Sequence, residues 1–218
     1  SNIGGQNRLR LASLDINSGL ASSWNPGADN NVHSLALSGN LLYAGGSFSN
    51  IGGQKRNYIA ALDVTTGQLT DWDPDADDMV LSLAVAGNKV YAGGWFNIIG
   101  GNIRNYIAAL DETTGMATSW NPGANSSVNA LAVSNSIVYA GGEFSYIGIG
   151  GSPRDYIAAL DTSNGFATQW NPAPNGRVNT ITRSGSIIYA GGLFTTIGGQ
   201  SRSRIAALDE TTGIATSW

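Results

Sequence analysis

The chain alternates apolar positions with small or polar ones in short runs of period two, and nowhere at the spacing of an amphipathic helix. In residues 80–85, one set of alternate positions holds Val80, Ser82 and Ala84, and the other holds Leu81, Leu83 and Val85. The next copy sets Val128, Ala130 and Ala132 against Asn129, Leu131 and Val133. One face is small and the other large. Such a strand fits between neighbours of complementary shape, whereas a solvated face would alternate apolar with charged residues.

A Gly-Asn pair at Gly87 and Asn88 predicts a tight hairpin into a second strand, residues 90–96 (VYAGGWF). A glycine-bearing loop leads to a third strand, residues 106–111 (YIAALD). Residues 111–115 then reverse the chain, with Asp111 bonding the turn backbone and Gly115 supplying a left-handed position. A fourth strand, residues 116–120 (MATSW), stops at Asn121-Pro122, because proline cannot donate to a ladder. No segment carries a helical period with caps.

This unit recurs. Trp24, Trp72, Trp120, Trp170 and Trp218 are spaced by 48, 48, 50 and 48 residues, and Tyr43, Tyr91, Tyr139 and Tyr189 keep the same phase. A period in this range signals a propeller or a solenoid. The two extra residues fall in residues 147–151, where IGG becomes IGIGG, a loop insertion. The predicted fold is all-β, a β-propeller of four-stranded antiparallel blades with about 4.5 repeats of about 48 residues, a period inside the propeller range. Residues 1–24 form a half blade holding the third and fourth strands, and blades follow at 25–72, 73–120, 121–170 and 171–218. Ser1 aligns with Ser49 inside a repeat, and Trp218 stands where Asn-Pro would follow. Three arrangements account for the half blade: a piece of a longer protein, which is the favoured one; a two-stranded blade; or a ring completed by another chain. Open half-blade edges also invite self-assembly.

Composition narrows the chemistry. Of the 218 residues 42% are hydrophobic, sufficient for a packed core, and 30 are glycine, as an all-β chain rich in turns requires. The net charge of −4 and the scattered eleven Lys and Arg argue against nucleic acid. No apolar run is long enough for a membrane span. With no cysteine and His33 as the one histidine, thiolate sites, disulfides and His-rich metal sites are excluded.

The run VYAGG-x-F, then IGG-x-x-R-x-Y-I-A-A-L-D, then TG-x-x-T-x-W-N-P, resembles the delta-60-repeat propellers of bacterial secreted and surface proteins. More distantly it is similar to kelch blades, in which a Gly-Gly closes the second strand and a Trp marks the fourth. The doublets here are Gly45-Gly46, Gly93-Gly94, Gly141-Gly142 and Gly191-Gly192. The resemblance covers the whole chain. It implies the propeller fold and an extracellular or cell-surface location, and it says almost nothing of function, because many functions share propellers.

Comparing the copies separates scaffold from candidate chemistry. Arg8, Arg56, Arg104, Arg154 and Arg202 recur before the third strand, and Asp15, Asp63, Asp111, Asp161 and Asp209 at its end. Such periodic residues are expected to satisfy backbone groups within their own blade rather than to bind a ligand. Between the Gly doublet and the Phe stand Ser47, Trp95, Glu143 and Leu193, a different residue in each copy. That position is expected on a solvent-accessible face or at the channel mouth, as a ligand-binding candidate or a drifting surface site. Arg183, which replaces Leu37, Val85 and Val133, is a further candidate, reaching the channel or laying its stem along apolar surface.

The loop at residues 71–78 offers Asp73, Asp75 and Asp77, with Asp71 and Asp78 beside them, as a calcium candidate against a solvated acidic loop. Asn125 opens a formal glycosylation sequon. No nucleophile elbow, P-loop or HExxH is present, and His33 aligns with Leu81, Asn129 and Asn179, so no catalytic residue is assigned and no enzyme is expected. The expected role is a non-catalytic binding or structural scaffold for protein interaction or adhesion. A lectin-like glycan binder is the alternative, and a glycan-active hydrolase the third reading. No cofactor is expected beyond the calcium candidate.

Overall fold

The computed structural model describes residues 2–134 and 136–218; Ser1, the first residue of the half blade, lies outside them. The described residues contain no helix, hence none long and apolar enough to cross a membrane. They form four antiparallel three-stranded sheets. In the second, the inner strand Val80–Ala86 pairs with the middle strand Lys89–Gly94, which pairs with the outer strand Ile107–Asp111. The same order holds for Val32–Ser38, Leu41–Gly46 and Ile59–Asp63; for Val128–Ser134, Ile137–Gly142 and Ile157–Asp161; and for Val178–Ser184, Ile187–Gly192 and Ile205–Asp209.

The fourth segment of each unit is not a full strand. It touches the outer strand through one bridge, Leu110 to Ala117 in the second sheet. Its Thr118 amide bonds the Ala109 carbonyl at 2.8 Å, while a side chain takes its outward carbonyl: Arg104 donates to the Thr118 carbonyl at 2.6 Å and to the Ile103 carbonyl at 2.7 Å. Arg56, Arg154 and Arg202 repeat the arrangement on Thr70, Thr168 and Thr216. The recurring arginines therefore bind carbonyls of their own unit. The outer strand starts at Ile107 rather than Tyr106, because Tyr106 adopts a left-handed φ of 64°.

Between middle and outer strands lies a two-residue hairpin that the sequence pattern does not reveal. Ile98–Ile99 pairs with Asn102–Ile103 around Gly100 and Gly101, both at positive φ. In the unit carrying the insertion a single bridge, Tyr146 to Pro153, replaces it.

The core lies between successive sheets rather than inside one. Tyr43, Ile59, Ala61 and Trp72 of the first sheet pack with Val80, Leu83, Val90, Ala92 and Leu110 of the second. Equivalent clusters join the second sheet to the third and the third to the fourth, and a smaller one seats Leu11 and Trp24 of the half unit against Ala44, Ala60 and Leu62. The first glycine of each of the first three doublets permits this approach. A Cβ on Gly45 would lie 2.7 Å from Val80 Cγ1, and one on Gly93 2.7 Å from Val128 Cγ1. Small against large is thus the packing rule, with one exception: Val80 shares its face with Leu83 instead of with Ser82 and Ala84.

The exception has a cause. Val80 pairs with Gly94 but Ser82 pairs with Gly93, so Leu81 is a bulge. The same shift occurs at His33, Asn129 and Asn179 in the other inner strands. A bulge re-aims the extra side chain out of the alternating pattern.

Candidate functional site

The four bulged residues converge. His33, Leu81, Asn129 and Asn179 line a cavity of about 440 Å³, together with Ser34, Ser82, Ala130 and Thr180 of the same strands. Each inner strand therefore contributes to one shared space, which marks the axis of the assembly.

The variable positions sit at the end of this cavity where the inner strands begin. Backbone bonds pin them there. The amide of Ser47 donates to the Asn31 carbonyl at 2.8 Å, Trp95 to Met79 at 2.9 Å, Glu143 to Ser127 at 3.0 Å and Leu193 to Arg177 at 2.8 Å. The following Phe48, Phe96, Phe144 and Phe194 are fully buried, so the side chain before each is turned outward. Trp95 is 49% exposed and Leu193 55%. A half-exposed indole is an uncommon use of the largest apolar side chain, and aromatics are concentrated at recognition surfaces.

Polar groups frame this rim. Ser47 Oγ lies 2.7 Å from His33 Nε2. A serine–histidine contact is the first half of a nucleophilic site, but among the described residues no carboxylate bonds His33 to orient it. Glu143 Oε1 accepts from Arg177 Nη1 at 2.7 Å, a pair that spans the third and fourth units with both side chains largely in solvent. The rim thus presents an indole, an aliphatic side chain, an ion pair and a hydroxyl–imidazole pair.

Arg183 lies elsewhere. It stands near the far end of its inner strand, where it pairs with Ile188, and Glu210 holds it through two bonds of 2.7 and 3.1 Å. Tyr139 of the preceding sheet donates to the same carboxylate at 3.3 Å. The Arg183 guanidinium beside Glu210 keeps that carboxyl below its usual range. Burial, reinforced by the Glu210 charge, pushes the Tyr139 phenol up to about 12.

The acidic loop does not converge either. Asp75 accepts from Asn57 Nδ2 at 2.7 Å, Asp77 accepts the amides of Asn97 and Ile98, and Asp73 lies 3.6 Å from Arg56. Among the described residues no three His, Cys, Asp or Glu side chains are grouped to hold a metal ion. Asn125, of the sequon, spends its amide on Ser145 and Tyr146. The recurring aspartates cap their turns: Asp111 Oδ1 accepts the Thr114 amide at 2.8 Å and the Thr114 hydroxyl at 2.9 Å.

Copy comparison located Ser47, Trp95, Glu143 and Leu193 but overlooked Arg177 and the cavity role of the bulged residues. The signal was available. Residues 31, 79, 127 and 177 read Asn, Met, Ser and Arg, and residues 33, 81, 129 and 179 read His, Leu, Asn and Asn. Both columns vary beside columns that do not.

No protein-family model and no curated protein matches the chain. Solved structures do resemble it. A chain of the mitotic checkpoint complex matches with a TM-score of 0.62 at 16% identity over 93% of this chain and 55% of its own. The Pan2 WD40 domain of Neurospora crassa matches at 0.57 and 15% over 90% of this chain and 55% of its own. BamB from Moraxella catarrhalis matches at 0.56 and 20% over 90% of this chain and 52% of its own. The chain spans just over half the length of these three. Identities this low establish the fold alone, and that fold is a β-propeller.

Proposed function

We propose that this chain is a non-catalytic recognition scaffold that binds a protein partner at the rim of the central cavity. The observation that carries the proposal is the division of labour within the unit. The buried Phe, the Gly doublet and the Trp recur, while the outward position between Gly and Phe changes from Ser47 to Trp95 to Glu143 to Leu193. Propellers serve many functions, so the rim and not the fold decides the reading. A mitotic checkpoint complex is an assembly of proteins by its name, which agrees with a protein-binding use of such a fold.

The finer family reading belongs to the same proposal: a delta-60-repeat or kelch-like propeller with about 4.5 units of about 48 residues, placed outside the cell or at its surface. The recurring VYAGG and YIAALD runs support it. The exposed Trp95 also favours a second occupant, a glycan stacked on the indole.

Peptide-display selection on the folded chain, run beside a glycan array, tests both. Ligands that bind wild type and are lost in both Trp95→Ala and Arg177→Ala support the rim. Peptides support the protein reading and sugars the glycan one. Ligands that bind both variants as well as wild type would place recognition elsewhere and refute the proposal.

A further inference from the structure

Asparagine is followed by glycine twice in the chain, at Asn164-Gly165 and at Asn175-Gly176. Such a pair can close on itself, because glycine has no side chain to shield its nitrogen from the asparagine carboxamide. In a folded chain the outcome depends on what holds the two groups, and the structure treats the two pairs in opposite ways.

At the first pair the nucleophile is tied down. The Gly165 amide donates to the Asp161 carbonyl at 2.9 Å, and Gly165 is buried. Gly67, Gly115 and Gly213 close their turns with the same bond. Asn164 Oδ1 accepts a single amide, that of Phe166, at 2.9 Å.

At the second pair the nucleophile is free and the carboxamide is polarised. Among the described residues nothing accepts a hydrogen bond from the Gly176 amide, and Asn175 is exposed. Asn175 Oδ1 accepts two main-chain amides, Thr195 at 2.8 Å and Thr196 at 3.0 Å. Two such donors on one carbonyl oxygen stabilise the oxyanion that forms when a nucleophile adds to its carbon. The third loop builds the same cradle, since Asn125 Oδ1 accepts the amides of Ser145 and Tyr146 at 3.0 Å each, but there Ser126 follows. The cradle and the glycine neighbour coincide at Asn175.

We infer that Asn175 is a modification site, at which the folded chain converts its own asparagine to aspartate and isoaspartate. The Gly176 nitrogen bonds to Asn175 Cγ, the Cγ–Nδ2 bond breaks, and ammonia leaves with the proton that the Gly176 nitrogen gives up. Water then opens the cyclic imide. Attack at Cγ restores the ordinary backbone with an aspartate, and attack at the main-chain carbonyl carbon leaves isoaspartate. The net exchange is water for ammonia, with no change of oxidation state.

The fold already accommodates one product. The first and second loops carry Asp29 and Asp77 at this position, and Asp77 Oδ1 accepts the Asn97 and Ile98 amides at 2.8 and 2.9 Å. Isoaspartate instead routes the main chain through the side chain, two residues ahead of Arg177, whose carbonyl holds Leu193 and whose guanidinium meets Glu143. Either product adds a negative charge beside the rim. The inference concerns the chain's own covalent chemistry and stands whatever the rim binds.

The wild-type chain, aged in mildly alkaline buffer both folded and in urea, tests it. Peptide mapping by mass spectrometry, with isoaspartyl methyltransferase labelling, follows each asparagine. In the folded chain Asn175 should react several-fold faster than Asn164 and Asn125. In urea the two Asn-Gly pairs should react alike. Asn175→Asp should keep the wild-type Tm. Asn175 reacting no faster than Asn164 in the folded chain would overturn the inference. The same ratio of the two rates in urea as in the fold would also overturn it, by assigning the difference to flanking sequence. A clear fall in Tm for Asn175→Asp would overturn the fit of the aspartate product.

Discussion

The indole Nε1 of Trp72 donates to the main-chain carbonyl of Asp111, 3.1 Å away in the next sheet. Trp24 reaches Asp63, Trp120 reaches Asp161 and Trp170 reaches Asp209 in the same manner. Each of the four indoles is buried, so its one donor needs an acceptor, and the carbonyl that opens the neighbour's turn supplies it. Tyr43 stands edge-on to Trp72 at 4.9 Å and completes the joint. Trp218 keeps its tyrosine, Tyr189 at 5.3 Å, but is 60% exposed.

Position along the chain should therefore set the cost of removing a tryptophan. Trp120→Ala should destabilise by about 3–5 kcal/mol, the usual range for a large buried ring. Trp120→Phe keeps apolar volume and forfeits the bond to Asp161, at about 1–2 kcal/mol. Trp218→Ala loses mainly its edge-on contact, about 0.5–1.5 kcal/mol. Urea unfolding of the three variants measures this order, and equal losses at Trp120 and Trp218 would contradict it.

Two glycines should fail as alanine for different reasons. Gly93 has an ordinary φ, but its new Cβ would press on Val128 Cγ1 at 2.7 Å and on the Val128 carbonyl at 3.1 Å. Gly93→Ala should thus separate two sheets at about 1–3 kcal/mol, the cost of overpacking. Gly101 has φ of 75° and open space around its Cβ, so Gly101→Ala carries only backbone strain of about 1–2 kcal/mol. A compensating Val128→Ala should rescue the first and leave the second unchanged in thermal melts.

Acid should weaken the molecule through its turns. Amides and hydroxyls of Thr66, Thr114 and Thr212 hold Asp63, Asp111 and Asp209 below the ordinary carboxylate value, and Ser163 and Ser18 do the same for Asp161 and Asp15. The unfolded chain binds protons more readily at these groups. Their contribution is present above an unfolded pKa of about 3.9 and is lost as pH falls through the lower folded values. Tm should be level near neutrality and drop below about pH 4. Asp111→Asn should lower Tm at neutral pH and flatten the acid limb; an unchanged acid limb would refute the assignment.

The Glu143–Arg177 pair should matter little to folding. Both side chains are more than two-fifths exposed, and such pairs couple by at most about 1 kcal/mol. A double-mutant cycle with Glu143→Ala and Arg177→Ala, measured at low and high salt, should show a small coupling that shrinks with salt. A larger, salt-insensitive coupling would make the pair part of the framework.

The sheets were legible because each copy restates the same alternation and the same glycine turns. The fourth segment misled, since MATSW reads as a strand while its outward carbonyl is taken by Arg104. The bulge at Leu81 was hidden, because Val80-Leu81-Ser82-Leu83 alternates without a break and only the pairing with Gly93 and Gly94 exposes the shift. At the rim, variation flagged Trp95 and Glu143, but Arg177 meets Glu143 across 34 residues, and such a contact needs the fold. Arg183 stood out by its charge, yet it answers to Glu210, the residue that follows an outer strand.

The rim positions are tied to the scaffold by main-chain bonds, from each variable amide to the carbonyl ahead of the inner strand. The joints between sheets use other atoms: a glycine with no Cβ, a valine methyl, an indole and a turn carbonyl. Lettering and paper are thus separate here. Mutation can rewrite the message around the axis without retuning what holds the page together, and whole units can trade places and carry their letters with them.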